Sequence, residues 1–340
     1  DGYNVNGKDR VEQEGYITDE LSQFTLEWLN QRKSEKPFFL YVSHKAAHAD
    51  FIPAERHAYR YKDQKLPVHK DWKGNKVIEQ GKPLWVQNQR NSRHGIEYAY
   101  YTHLDMEQYY QRYCETLLAV DDSVGELMHW LDESGESENT LVLYMGDNGF
   151  LFGEHGLIDK RNAYEESMRI PLMVKFPAVV SKGLKVSSMV ANIDIAPTLL
   201  DVAGVRIPEH MDGRSFSPML KGKNTPWRQY LLYEYFWERN YPQTPTTHSL
   251  RGDRFKYIRY HGIWDKDELY DLESDPDELQ NLIREPQHQS RIKDMNRVLF
   301  DMLELSKGRE IPLQRDRGTQ FFHRAAGGSP ASGFTSDFYQ

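Results

Sequence analysis

Leu141-Val142-Leu143-Tyr144-Met145 runs straight into Gly146-Asp147-Asn148-Gly149. The chain then reads Gly153-Glu154-His155-Gly156, Asp159-Lys160 and Tyr164-Glu165-Glu166 before a second apolar run, Ile170-Pro171-Leu172-Met173-Val174. Short apolar runs of this kind predict buried strands, here with a polar and glycine-rich connection between them. Outward from this stretch the pattern repeats. Phe38-Phe39-Leu40-Tyr41-Val42 predicts a strand before it, and Ser188-Met189-Val190 a short one after it. A helix is expected to open at Thr18, as its cap, with Leu21, Phe24, Trp28 and Leu29 on the buried stripe. A second covers about 109–131, and a third covers 194–202 and ends at Gly204. Strands alternating with helices predict an α/β sheet with parallel neighbours.

Composition shifts after about residue 222. Tyr230-Leu231-Leu232-Tyr233-Glu234-Tyr235-Phe236 and Phe255-Lys256-Tyr257-Ile258 read as antiparallel strands, and 287–305 as a charged helix. The expected organisation is therefore 1–222 as the main α/β part, 223–305 as a small α+β subdomain, and 306–340 as a tail without its own core.

The 340 residues carry Lys+Arg 43 against Asp+Glu 51, a net charge of −8, with 39% hydrophobic and 28% charged residues. That is a globular composition, and its acidic balance argues against a nucleic-acid partner, which needs a basic face. No apolar stretch is long enough to span a bilayer. The single cysteine, Cys114, excludes an internal disulfide and a cysteine-cluster metal site. Opening on Asp1 rather than Met, the chain is expected to be processed or a fragment.

Three clusters follow strand candidates, and in open α/β sheets ligands bind beyond the carboxyl ends of strands. Ser43-His44-Lys45-Ala46-Ala47-His48 combines two imidazoles and an ammonium, which suits an anionic substrate and proton transfer; its bland reading is a solvated strand end. Asp147 and Asn148 offer adjacent hard oxygens suited to Ca²⁺ or Mg²⁺, although Asn148-Gly149 between apolar runs is also a hairpin signal. Gly153-Glu154-His155-Gly156 lets backbone approach a ligand, and Lys160 adds a point positive charge that alone would read as a solvated surface lysine.

In order along the chain these clusters resemble the signatures of the type I, formylglycine-dependent sulfatases. The likeness includes Phe51-Ile52-Pro53 after His48, and Tyr164-Glu165-Glu166-Ser167-Met168-Arg169-Ile170-Pro171 after Lys160. It continues through Asp194-Ile195-Ala196-Pro197-Thr198 and Asp212-Gly213-Arg214-Ser215. Lys256-Tyr257-Ile258, Glu268-Leu269-Tyr270-Asp271-Leu272, Asp275-Pro276 and Asn281-Leu282 resemble that family's C-terminal subdomain. The resemblance implies an alkaline-phosphatase-like α/β sheet sandwiched by helices, with the N-terminal part absent, and sulfuric ester hydrolysis on a sulfated carbohydrate of the N-acetylglucosamine-6-sulfate kind. It implies Asp147 and Asn148 as Ca²⁺ ligands, and Lys160 as a catalytic contact to the sulfate oxygens. It also implies His48 as a catalytic acid, His155 as a substrate-binding residue, and a secreted or periplasmic location.

One departure matters. The family's Asp-Asp metal pair, its further Lys and His, and its Cys/Ser-x-Pro/Ala-x-Arg nucleophile motif, the source of formylglycine, do not occur here. Cys114, followed by Glu115-Thr116-Leu117-Leu118, reads as helix core. The expectation is a C-terminal part that is inactive alone. Two alternatives stand beside it. One is a non-catalytic sulfated-glycan binder. The other is a metal-dependent phosphatase or phosphodiesterase of the same superfamily, in which a histidine commonly stands where this chain has Asn148.

Overall fold

A computed structural model describes residues 2–5, 9–33, 36–67, 81–89, 95, 106–238, 243–261 and 265–308. The chain separates into two compact units. One comprises residues 1–67, 103–142 and 175–178, and the other residues 68–102, 143–174 and 179–340. About half of residues 54–108, and the expected tail beyond Gly308, lie outside the described residues.

In the first unit β1 (Gly2–Val5) pairs antiparallel with β2 (Asp9–Glu12), and α1 (Ile17–Gln31) packs against the long helix Met106–Glu133, α3. Tyr16, not Thr18, caps α1, and Thr18 is fully buried inside it. The buried stripe is Thr18, Ser22, Thr25 and Leu29, while Phe24 and Trp28 are exposed. Small hydroxyl residues win the interface because they let the helices approach closely: Ser22 Oγ lies 2.6 Å from Ser123 Oγ, and its own hydrogen-bonding is completed by the Thr18 carbonyl. The segment 38–42 is not a strand here. Phe39 is 73% exposed and Tyr41 81%, and no strand pairs with them among the described residues.

The second unit contains α2 (Leu84–Gln89). β3 (Val142–Met145) and β6 (Leu172–Lys175) are strands where the two apolar runs predict them, and they pair with each other, but β3 is only half-buried and Met173 of β6 is exposed, so the expected burial is not seen. Between them β4 (Leu151–Phe152) and β5 (Ile158–Asp159) form an antiparallel hairpin, followed by α4 (Glu165–Met168). Because β3 pairs with β6 and not with β4, Asn148-Gly149 is not a hairpin turn. The segment 188–190 forms no strand. α5 (Ile195–Val202) ends at Gly204, whose φ of +70° is the left-handed cap glycine tolerates best. Asp194, fully buried, accepts the Ala191 and Arg214 backbone N–H groups and the Arg228 guanidinium. It thereby ties the two later motifs together, and Thr198 Oγ1 accepts the Phe216 N–H at the start of α6 (Ser217–Leu220).

Beyond it lies a four-stranded antiparallel sheet in the order β10–β9–β8–β7, built from β7 (Tyr230–Tyr235), β8 (Thr246–Gly252), β9 (Phe255–His261) and β10 (Glu268–Asp271). Period two assigns its faces. Leu250, Phe255, Tyr257 and Leu269 pack on Met295, Leu299 and Leu303 of α7 (Gln289–Leu305). The opposite face carries Ile258, Tyr260 and Tyr270 against Leu151, Leu157, Ala163 and Tyr164. The β4–β5 hairpin and the segment after it are therefore built on this sheet.

Candidate active site

The hairpin holds its chemistry in strained backbone. Leu151 lies opposite Asp159 and Phe152 opposite Ile158, all buried, so the intervening turn is closed tightly over Glu154–Gly156. His155 has φ 58°, Asp159 φ 86° and Arg161 φ 87°, left-handed values that side-chain-bearing residues rarely adopt. Such conformations persist where surrounding structure over-determines them, and they cluster at functional sites. Lys160 sits between two of them. It is half-buried, and its ammonium makes no hydrogen bond or ion pair with a described residue.

Asp147 and Asn148 lie exposed on the turn after β3. Asp147 Oδ1 accepts the Asn148 N–H at 2.9 Å, and Asn148 Nδ2 donates to the Gly149 carbonyl at 2.7 Å. The amide's own oxygen is thereby turned away from the backbone. Gly149 explains the position of this turn: its N–H donates to the Ser167 carbonyl at 2.9 Å. A Cβ there would lie 2.8 Å from the Glu166 carbonyl carbon and closer still to its oxygen. The turn is thus pressed onto α4, the helix that also supports His155.

His155 has its side chain almost wholly buried. Its ring stacks on Tyr164, with centroids 3.8 Å apart and planes 24° from parallel, and Nε2 lies 3.4 Å from Glu166 Oε2. Burial opposes ionisation of Glu166, yet the contact with His155 holds its pKa below the usual carboxylate value. Beneath these groups Lys256, fully buried, uses its ammonium on three acceptors: the Ala163 carbonyl, Glu165 Oε1 and Glu278 Oε1, each at 2.8 Å. The first is a hydrogen bond and the other two are ion pairs, so two carboxylates face this one buried ammonium. Burial alone would raise the Glu165 pKa, but Lys256 and Arg251 overcome it and hold the carboxyl at about 2. For Glu278 burial wins, and its pKa is raised despite Lys256 and His155.

The structure therefore brings the Asp147–Asn148 turn, His155 and the Lys160 loop onto one framework formed by residues 164–168. His48 belongs to the other unit. It is exposed on the turn closed by its own N–H to the Lys45 carbonyl at 2.7 Å, with Nδ1 2.7 Å from the Ala49 carbonyl oxygen. In that unit His44 Nε2 meets Ser123 Oγ at 3.0 Å, and burial lowers its pKa. Cys114 is half-buried on α3, and burial raises its thiol pKa, which leaves it a poor nucleophile.

Sequence reasoning gave no role to Glu166 and Glu278, which with His155 place ligand-type atoms within 4.8 Å of one another. Glu166 was visible in the motif after Lys160. Glu278, at φ 51° in the turn after Asp275-Pro276, gave no signal. That group is a poor cation site, because the Lys256 ammonium already occupies the electrostatic position beside Glu278. The hard oxygens of Asp147 and Asn148 fit a calcium-type ion better. They are two ligands of the six to eight such an ion takes.

The sulfatase family model matches residues 2–205, and a model described as N-sulphoglucosamine sulphohydrolase, C-terminal, matches residues 153–304. An N-acetylglucosamine-6-O-sulfatase of Bacteroides thetaiotaomicron is 30% identical, covering 86% of this chain and 62% of its own length. The N-acetylglucosamine-6-sulfatase of Bos taurus is 34% identical over 72% of this chain and 44% of its own. A structure solved with its substrate D-glucosamine-2-N,6-O-disulfate superposes with a TM-score of 0.80 at 25% identity, covering 91% of this chain and 74% of that one. A phosphonate monoester hydrolase from Silicibacter pomeroyi, 20% identical, shares the fold with a TM-score of 0.73 over 86% of this chain and 61% of that one. The chain thus spans roughly half of the curated relatives' length, 44% to 62%.

Proposed function

This chain belongs to the sulfatase family, with its alkaline-phosphatase-like α/β fold, and we propose that it is the part of a carbohydrate sulfatase that holds the sulfate ester for cleavage. The substrate class we propose is a 6-O-sulfated glucosamine sugar, in line with what the relatives' names state. One observation carries the reading: a half-buried Lys160, without an acidic partner among the described residues, on a strained loop. An ammonium kept free of carboxylates is poised to take an anion.

In this reading Lys160 binds the sulfate oxygens as a point charge, and its proton is available to the departing alkoxide. His48 serves as a further proton donor. His155 lies near the sulfate or the first sugar ring. Asp147 and Asn148 supply oxygen ligands to a Ca²⁺ ion, whose chemistry is to polarise and orient the reacting groups. These 340 residues carry no Cys/Ser-x-Pro/Ala-x-Arg motif from which formylglycine is made, so by themselves they are expected to bind without turnover. The reading divides the chain at about residue 222, with the antiparallel sheet and α7 as the C-terminal subdomain. No described helix is long and apolar enough to cross a membrane. Since sulfated polysaccharides are too large to cross one either, we place the protein in a secreted or periplasmic compartment.

The test is sulfate release from 6-sulfated N-acetylglucosamine by the full-length gene product and by the 340-residue chain at matched amounts. The full-length protein should turn over and the chain should not. Lys160→Ala and His48→Ala in the full-length protein should each lower kcat by roughly 10²-fold. Indifference to Lys160→Ala, or near-equal rates from the chain alone, overturns the reading. Metal analysis that finds zinc rather than calcium favours a phosphodiesterase instead.

A further inference from the structure

The face of the antiparallel sheet beneath the site should be apolar, yet the acidic Glu268 and the basic Lys82 are buried there. Glu268 of β10 has no solvent exposure and lies among Tyr164, Tyr260 and Tyr270. Its carboxylate accepts the Tyr164 hydroxyl at 2.9 Å and 3.2 Å, and also the hydroxyls of Tyr260 and Tyr270. Burial, and next the charge of Glu268, push all three phenols well above their ordinary pKa, so they stay protonated as donors. Lys82, also buried, places Nζ 4.0 Å from Glu268 Oε2 and 4.2 Å from the centre of the Tyr164 ring. Its ammonium is held by the Tyr270 hydroxyl at 2.9 Å and the Glu278 carbonyl at 2.6 Å.

Stability is a poor explanation for this cluster. Buried ion pairs cost several kcal/mol per ion in desolvation, and well-packed apolar side chains hold a fold as well or better. What a carboxylate with three phenolic donors provides is direction. It fixes the plane of the Tyr164 ring, and that ring is the surface on which the His155 imidazole stacks. Glu166 meets the imidazole edge at Nε2. Ring stacking and edge contact together remove the freedom about the histidine's second torsion. We propose that Glu268, acting through Tyr164, is a positioning residue that sets the orientation of His155 toward the sulfated sugar.

The inference deepens the proposed function and rests on His155 lying beside the sulfated sugar. Its test therefore separates the two. In the full-length protein, KM and kcat for 6-sulfated N-acetylglucosamine are measured for His155→Ala, Tyr164→Leu, Tyr164→Phe and Glu268→Gln. In parallel, long-range ¹H–¹⁵N spectra of the 340-residue chain follow the His155 ring nitrogens, a readout that needs no activity. His155→Ala should raise KM about tenfold. Tyr164→Leu, which removes the stacking ring, and Glu268→Gln, which alters its anchor, should each raise KM about three- to tenfold with kcat within about twofold. Tyr164→Phe, which keeps the ring, should recover most of the loss. In the spectra one tautomer should give sharp signals in the parent and averaged ones in Tyr164→Leu.

If His155→Ala leaves KM unchanged, the functional reading of His155 fails, and the spectra still decide whether Glu268 orders the ring. If His155→Ala raises KM while Tyr164→Leu and Glu268→Gln change neither KM nor the ring signals, the positioning role is wrong. A fall in kcat at constant KM, in step with lost folded protein, also overturns it, because that is what a purely structural cluster would give. Should Tyr164→Leu fail to fold, Tyr164→Phe and Glu268→Gln carry the same comparison.

Discussion

Gly149→Ala should be among the most damaging small substitutions in this protein, and the reason is steric rather than conformational. The added Cβ would meet the Glu166 carbonyl carbon at 2.8 Å, its oxygen more closely, and the Ser167 carbonyl carbon at 3.1 Å. These are backbone atoms of α4, so no flexible side chain can move aside. Relief requires the 147–149 turn to lift off, which also breaks the bond from the Gly149 N–H to the Ser167 carbonyl. Overpacking costs ~1–3 kcal/mol and a lost buried hydrogen bond ~1 kcal/mol, for about 2–4 kcal/mol in all. Gly125→Ala is the control. That glycine lies inside α3 with nothing within 4 Å of the new carbon, and the same substitution there should stabilise by ~0.5–1 kcal/mol. Urea unfolding of both variants and the parent reads the two signs directly. Because the turn and His155 share α4, Gly149→Ala should also disturb the His155 ring signals, which Gly125→Ala should leave alone. Equal unfolding midpoints for Gly149→Ala and the parent would refute the close-approach argument.

Lys256→Met should destabilise by ~3–5 kcal/mol, since Glu165 and Glu278 would keep their burial and lose their ammonium. Adding Glu278→Gln to it should restore part of the loss, and a double-mutant cycle showing strict additivity would contradict the pairing. A second expectation concerns acid. Burial, with His261 at 2.7 Å, lowers the His248 pKa to about 4, below the ordinary 6.5. Its contribution is therefore complete above about pH 6.5 and is lost as pH falls toward 4, on the order of 3 kcal/mol in total. Glu165, held at about 2, adds a loss only below its ordinary 4.5. His248→Gln should flatten the stability profile between pH 6.5 and 4 and leave the lower limb; an unchanged upper limb would show that His248 is not the group titrating.

Where backbone conformation follows from local pattern, the sequence was legible. The runs at 141–145 and 170–174 pair as β3 and β6, Gly204 stops α5, and the helix expected at 287–305 is α7. The failures share a cause, which is that burial depends on partners the pattern does not name. Phe24 and Trp28 carry the apolar bulk of α1, yet the face that packs is the one whose small hydroxyls admit α3 to hydrogen-bonding distance. The run at 38–42 has the composition of a strand, but a strand exists only as one side of a ladder. β8, Thr246–Gly252, was missed because its buried residues include Thr247, His248 and Ser249, and no hydropathy reading marks those as interior.

The candidate site divides along the same line. Asp147, Asn148, His155 and Lys160 are exposed or loop residues whose chemistry can be read from their own side chains. The groups that orient them are strand residues more than ninety positions away in sequence, as with Lys256 bonded to Ala163 and Tyr164 to Glu268. Lys256 in Phe255-Lys256-Tyr257-Ile258 reads as the solvated side of an edge strand, and only the sheet's contact with the hairpin turns it inward. A charge on that face needs partners or it would unfold the unit: Lys256 has one hydrogen bond and two ion pairs, and Glu268 has three phenolic donors. Such a network is rigid because every member is constrained by several others. Rigidity beneath the loop is what allows Asp159 and Arg161 to remain at left-handed φ on either side of Lys160, with the ammonium between them kept from the acidic residues that surround it in sequence.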